Sequence, residues 1–178
     1  MADSKFERVP HDETKFQEAL LTACYLLQVE KFYEDQEKAL RQFFRGKNVF
    51  FSAHTGYGKS LVFQAIPILA DVLAGKVIGT SVVVVISPLT SLMKDQVQTI
   101  NQRFGISAAA IYDGQDDETL QDVENGIYSI VYTSPEAFLA TNRWRSLATS
   151  NRFRDDCAAI VIDEPQSGSL VGSFVEFV

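Results

Sequence analysis

The residues best equipped for chemistry in this sequence are two glycines, a lysine and a serine within five positions. Ala53-His54-Thr55-Gly56-Tyr57-Gly58-Lys59-Ser60 follows the pattern of a phosphate-binding loop, with Ala53 where the stricter pattern has its first glycine. In such a loop, backbone N–H groups and a helix N-terminus turn toward an anion. Thr55, Gly56, Tyr57 and Gly58 supply that backbone, Lys59 pairs with the outer phosphates, and the Ser60 hydroxyl can hold a magnesium ion. A plain Gly-rich turn between a strand and a helix has similar letters. The flanks separate the two readings. Asn48-Val49-Phe50-Phe51 reads as a buried strand before the loop, and Ser60 to Ile66 reads as a helix start after it.

A second pair of candidates is Asp163-Glu164, at the end of the apolar run Ala158 to Ile162. A strand that ends in two carboxylates delivers them to the sheet edge where the phosphate loop also opens. Asp163 is suited to hold the magnesium ion, and Glu164 to orient or deprotonate an attacking water. Solvated carboxylates at a strand end are the ordinary alternative. The phosphate loop upstream favours the catalytic reading.

These groups need a scaffold. The helical spacing of Phe16, Leu20, Cys24 and Leu27 predicts an amphipathic helix over residues 13–28, after a frayed tail over 1–12. A second helix is predicted over 36–45, with Gly46 as its stop. Pro67 is expected to kink or end the helix after the loop. Ser81 to Ile86 is an apolar, β-branched run suited to a parallel strand buried on both faces. A helical pattern follows from Leu89 to Phe104, then a weaker strand over 108–112 and a turn at Asp113-Gly114. A short helix ends near Gly126, Tyr128 to Tyr132 is a strand, and a helix starts near Glu136. Strands alternating with helices imply an α/β fold: a parallel sheet with helices on both faces.

Composition bounds the rest. The 178 residues suit one compact domain, and 46% hydrophobic content can build its core. A net charge of −7 argues against a generally basic nucleic-acid binder, though not against a local basic groove. Cys24 and Cys157 lie far apart without metal spacing and are expected to pack as small apolar residues of a reducing compartment. His11 and His54 form no ligand cluster with them. Residues 1–15 do not read as a signal peptide, and no apolar run approaches membrane-spanning length, so a soluble intracellular protein is expected.

Further motifs carry a family resemblance. Ser87-Pro88-Leu89-Thr90-Ser91-Leu92-Met93-Lys94-Asp95-Gln96-Val97 resembles motif Ia of RecQ-like DNA helicases, and Tyr132-Thr133-Ser134-Pro135-Glu136 resembles motif Ib. Gly58 to Pro67 resembles their P-loop and following helix, and Phe32 and Gln36 fall where motif 0 has its Phe and Gln. The resemblance runs from about residue 29 to 164, which it marks as the first RecA-like, ATP-binding domain. Residues 1–28 then form an N-terminal tail and helix, and 165–178 a tail outside the family pattern.

The resemblance implies a RecQ-like 3′–5′ ATP-dependent helicase domain that takes ATP with Mg2+, contacts single-stranded or forked DNA, and works in the nucleus if eukaryotic. Gln36 would read the adenine edge and Tyr33 could stack on the base. Ser87, Pro88, Leu89 and Ser91, with Thr133 and Ser134, would touch the DNA backbone without reading sequence. Lys94 reads more simply as a solvated helix lysine, and Trp144, with Arg143 and Arg145, as a helix anchor rather than a stacking site.

Departures accompany the likeness. Tyr33 and Glu34-Asp35 replace the family's Arg and Pro-Gly, and His54 and Tyr57 replace a Pro and a Gly of the P-loop. A side chain at Tyr57 tolerates positive φ poorly, so weaker nucleotide binding is expected. After Glu164 the family pattern stops. Motif III, the aromatic-rich loop and the second RecA-like domain with its arginines are missing from these 178 residues, so the chain alone is expected to hydrolyse ATP slowly and not to unwind DNA. The tail reads as foreign to native helicase sequence. In the family the motif III strand separates the P-loop strand from the Asp-Glu strand, which leaves a central slot. Residues 174–178 could fill it by antiparallel insertion, or hang as a loose apolar tail. A non-catalytic ATP- or DNA-binding module acting through partners is the competing reading.

Overall fold

The computed structural model describes residues 12–54, 56–102, 106–112, 117–140, 147, 151–163 and 171–176. In chain order the elements are α1 (Glu13–Leu27), α2 (Glu34–Phe44), β1 (Val49–Ala53), α3 (Lys59–Ala74), β2 (Val82–Ile86), α4 (Thr90–Asn101) and β3 (Ala108–Ile111). They continue with α5 (Asp117–Glu124), β4 (Ile130–Thr133), α6 (Pro135–Ala140), α7 (Asn151–Asp156), β5 (Cys157–Asp163) and β6 (Val171–Glu176). The six strands form one sheet in the order β1-β6-β5-β2-β4-β3.

Four of these strands, β5, β2, β4 and β3, run parallel to one another. Their side chains alternate between two cores, as strand geometry requires. Val83, Val85, Ala108, Ala110, Ile130 and Tyr132 join the core beneath α1 to α4. Val82, Val84, Ala109, Ile111 and Val131 join the opposite core, with Val123 of α5, Ala137 of α6 and Phe153 of α7. This is the doubly covered parallel sheet that the apolar runs imply. At Ala158 the register slips, since Val82 pairs with Cys157 and Val83 with Ala159.

The sheet is not parallel throughout. β6 lies between β1 and β5 and is antiparallel to both. The antiparallel insertion is therefore realised, from Val171 rather than from Phe174. Only residues 164–170 connect β5 to β6. That length is too short for a crossover that would return the chain parallel, which usually takes about 10–12 residues. Through β6, β1 keeps the same direction as β5, so the carboxyl ends of β1, β5, β2, β4 and β3 share one edge.

Pro67 lies inside α3, which runs on to Ala74. The helix therefore does not end there; nearly every side of it is buried, with Phe63, Ile66, Ile68 and Leu69 among the most enclosed residues. Asp71, fully buried in the same helix, accepts from the backbone N–H groups of Gly79 (2.8 Å), Thr80 (3.1 Å) and Ser81 (2.8 Å). It thereby fixes the turn into β2. Arg41 of α2 forks onto Glu13 of α1 at 2.7 and 2.8 Å, contacts Glu37, and covers the Phe16 ring. Both cysteines are free thiols, and burial pushes Cys157 up to about 12. The short helix α7 carries no clear sequence signal.

Candidate nucleotide and nucleic-acid site

β1 ends at Ala53 and α3 begins at Lys59, so the Gly-rich segment turns at the carboxyl edge of the sheet. Gly56 and Gly58 hold φ of 83° and 82°, and Gly58 is the N-cap of α3. Tyr57 between them is not at positive φ; Gln28 is the one described non-glycine residue that is. The backbone cost expected at Tyr57 is therefore absent, because the left-handed positions fall on its neighbours. Lys59 folds back over the loop, and its Nζ donates to the Ala53 carbonyl at 3.0 Å.

Gln36 joins α2 to this loop. Its amide nitrogen donates to the carbonyls of Tyr57 (3.0 Å) and Gly58 (3.2 Å), and its oxygen accepts from Tyr33 N–H at 2.8 Å. A Cβ on Gly58 would stand 2.9 Å from that amide nitrogen. Gln36 is 1% exposed and both its amide hydrogens are engaged, so reading an adenine edge through Nε2 requires exchange of one of these bonds.

Tyr33 and Tyr57 lie against each other, ring centroids 5.1 Å apart. Tyr57 also meets His54 (5.2 Å) and Phe51 (6.4 Å), and its hydroxyl donates to Asp35 at 3.3 Å. Desolvation, and then the Asp35 carboxylate, hold the Tyr57 phenol above its usual range, which keeps this donor protonated. Asp163 is half-buried at the end of β5. Ser173 pairs with both Phe51 and Asp163, so the carboxylate strand stands two strand spacings from β1, about 10 Å. Ser60 and Asp163 are both oxygen donors suited to a hard cation. Two protein ligands leave most of an octahedron to phosphate oxygens and water, the usual pattern for magnesium. No cluster of three His, Cys, Asp or Glu occurs among the described residues.

The same edge carries the remaining candidates. Pro88, Leu89 and Ser91 are exposed where β2 passes into α4, whereas Ser87 is 2% exposed and its N–H donates to Thr133 O at 2.9 Å. Thr133 is buried, and the Ser134 hydroxyl accepts from Ala137 N–H as a cap on α6. Lys94 is exposed on α4, as expected, and its ammonium lies 4.6 Å from the Tyr112 ring centroid. Thr55, Glu164, residues 1–11 of the tail, Asp113-Gly114, Arg143, Trp144 and Arg145 lie outside the described residues.

Sequence reasoning missed the Gln36 staple, although Gln three positions after a helix cap is a capping-box spacing. It also missed Asp71, whose signal is a lone carboxylate in the apolar run 66–73.

A Gly-rich loop at the end of a strand, a lysine at a helix start and a carboxylate two strands away define a P-loop domain of the RecA-like α/β class. The sequence model of the DEAD/DEAH box helicase family matches residues 33–169, and the chain belongs to that family, as a RecQ-like N-terminal helicase domain. It is 36% identical over 137 residues to the ATP-dependent helicase SGS1 of Saccharomyces cerevisiae, covering 75% of this chain and 9% of that protein. It is 34% identical to the ATP-dependent helicase wrn-1 of Caenorhabditis elegans, covering 88% of this chain and 14% of that protein. With the ATP-dependent DNA helicase RecQ of Bacillus subtilis it shares 36% identity over 60% of this chain and 17% of that protein. The chain thus spans less than a fifth of each of these relatives. Among the described residues no helix is long and apolar enough to cross a membrane.

Proposed function

We propose that this chain is the ATP-binding domain of a RecQ-like 3′–5′ DNA helicase, taking ATP–Mg at the Gly56–Ser60 loop and single-stranded DNA at the turn after β2. The observation that carries the reading is the geometry of the loop. Two glycines at positive φ lead into the N-terminus of α3, beside a lysine held over the loop. Lys59 would exchange the Ala53 carbonyl for the outer phosphates. Magnesium, when bound, neutralises charge between those phosphates, with Ser60 and Asp163 holding it. Glu164 follows Asp163 and would orient the attacking water.

For DNA, the exposed residues Pro88, Leu89 and Ser91 favour a backbone contact. Ser87, Thr133 and Ser134 would contribute by shaping the turn and through backbone groups, since their side chains face inward. Such contacts hold a strand without sequence preference.

ATP turnover with and without single-stranded DNA tests the reading. DNA-stimulated hydrolysis that Lys59→Ala abolishes is the expected result for the helicase domain. Nucleotide binding without turnover supports the alternative, a binding module that acts through partners. A folded chain with no magnesium-dependent ATP affinity removes the helicase-domain reading and the ATP-binding form of the module.

A further inference from the structure

We propose that Tyr57 is a gate on the nucleotide site, competing with the incoming base for the face of Tyr33. The inference rests on the phosphate-loop reading above and adds a determinant of base selectivity to it. Tyr33 is 53% exposed at the start of α2, one hydrogen-bonded step through Gln36 from Gly58. It is the aromatic surface that a base would meet once its phosphates sit at Gly58. Tyr57 already covers one face of that ring at 5.1 Å. A base inserted between two rings needs about 9 Å between their centroids, two stacking distances at the lower end of the range for aromatic pairs. The backbone of Tyr57 cannot withdraw to make that room, because its carbonyl is held by Gln36. The ring must swing instead, giving up Tyr33, His54 and the bond to Asp35 together. Space for the swing exists: a groove of about 600 Å³ between α2 and β1 opens beside Tyr57, lined by Asp35, Lys38, Gln42 and Phe50.

A ligand with phosphates but no base does not have to open the gate. A nucleotide does, and a base with more stacking surface displaces the ring more readily. The gate therefore weakens ATP relative to a bare phosphate chain, and weakens pyrimidine nucleotides more than purine nucleotides.

Calorimetry on the full chain with magnesium ATP, magnesium CTP and magnesium tripolyphosphate tests this, with the ratio of affinities as the readout. Tyr57→Ala, at a residue without positive φ, is expected to raise ATP affinity relative to tripolyphosphate roughly 2- to 10-fold, the value of one aromatic pair. It should also narrow the gap between ATP and CTP. Tyr57→Phe keeps the stack and loses only the Asp35 bond, so it should yield a smaller part of that gain. An unchanged or falling ATP to tripolyphosphate ratio in Tyr57→Ala overturns the gate, because the ring is then a bystander or a second platform. Lys59→Ala separates this from failure of the underlying reading. If the folded wild-type chain binds neither ligand, or binds both equally well without Lys59, the phosphate loop itself is wrong and the gate falls with it.

Discussion

Gly58 has the least room for change of any residue at the site. It combines φ of 82° with a side-chain amide that would lie 2.9 Å from an added Cβ. Gly56 has the same backbone geometry but nothing within 4 Å. The two glycines therefore separate two physical costs. Gly56→Ala should lose about 1–2 kcal/mol in urea unfolding, the penalty of left-handed backbone. Gly58→Ala should lose about 1 kcal/mol more, because it also displaces the Gln36 amide from the loop. In a Gln36→Ala background the difference should vanish; if it persists, the staple is not what Gly58 makes room for. At this scale the sequence was legible for the loop glycines, Lys59 and Ser60, whose spacing reports backbone geometry directly. It was not legible for the contact between Tyr33 and Tyr57. That contact joins residues 24 positions apart and depends on the angle at which α2 meets the loop, which no local pattern encodes.

Among the elements, α3 carries the most. It positions the phosphate loop at its start and, near its end, sets the entry to β2 through Asp71. A buried carboxylate receiving three backbone N–H groups is a strong junction, since hydrogen bonds to charged groups exceed neutral ones. Asp71→Ala should cost on the order of 3 kcal/mol in thermal or urea unfolding, because the Ser81 N–H stays buried without its acceptor. Asp71→Asn should cost less, as its remaining oxygen satisfies part of the set. Equal losses for both would mean that cavity formation, not hydrogen bonding, dominates. Helix and strand existence was readable from periodicity at nearly every element, and β2 was evident from five consecutive β-branched residues. Pro67 does not end the helix, because the rule that proline stops one is local, whereas α3 is enclosed on nearly all sides. α7 gave no periodic signal because six residues hold fewer than two turns.

For the whole molecule, β6 decides continuity. It lies between β1 and β5, so the phosphate-loop strand connects to the parallel strands only through it among the described residues. Ser173 is paired on both sides, with Phe51 and with Asp163. Ser173→Pro should remove ladder bonds in a central strand and destabilise the domain by about 3 kcal/mol or more, with amide exchange rising in β1 before β2. Uniform loss across all strands would show that β1 does not depend on β6 in this way. Whether β6 inserts at all was open from sequence, since connection length excludes a parallel return but does not choose between antiparallel insertion and no insertion.

This arrangement also sets an order of assembly. On a ribosome, Val49–Ala53 emerges about 120 residues before the segment that gives it a neighbour. Until then the strand bearing the Gly-rich turn has an uncovered edge on each side, a period in which nascent chains are prone to stray pairing. Among the described strands, the phosphate loop is mounted on one whose ladder waits for the last of them to emerge.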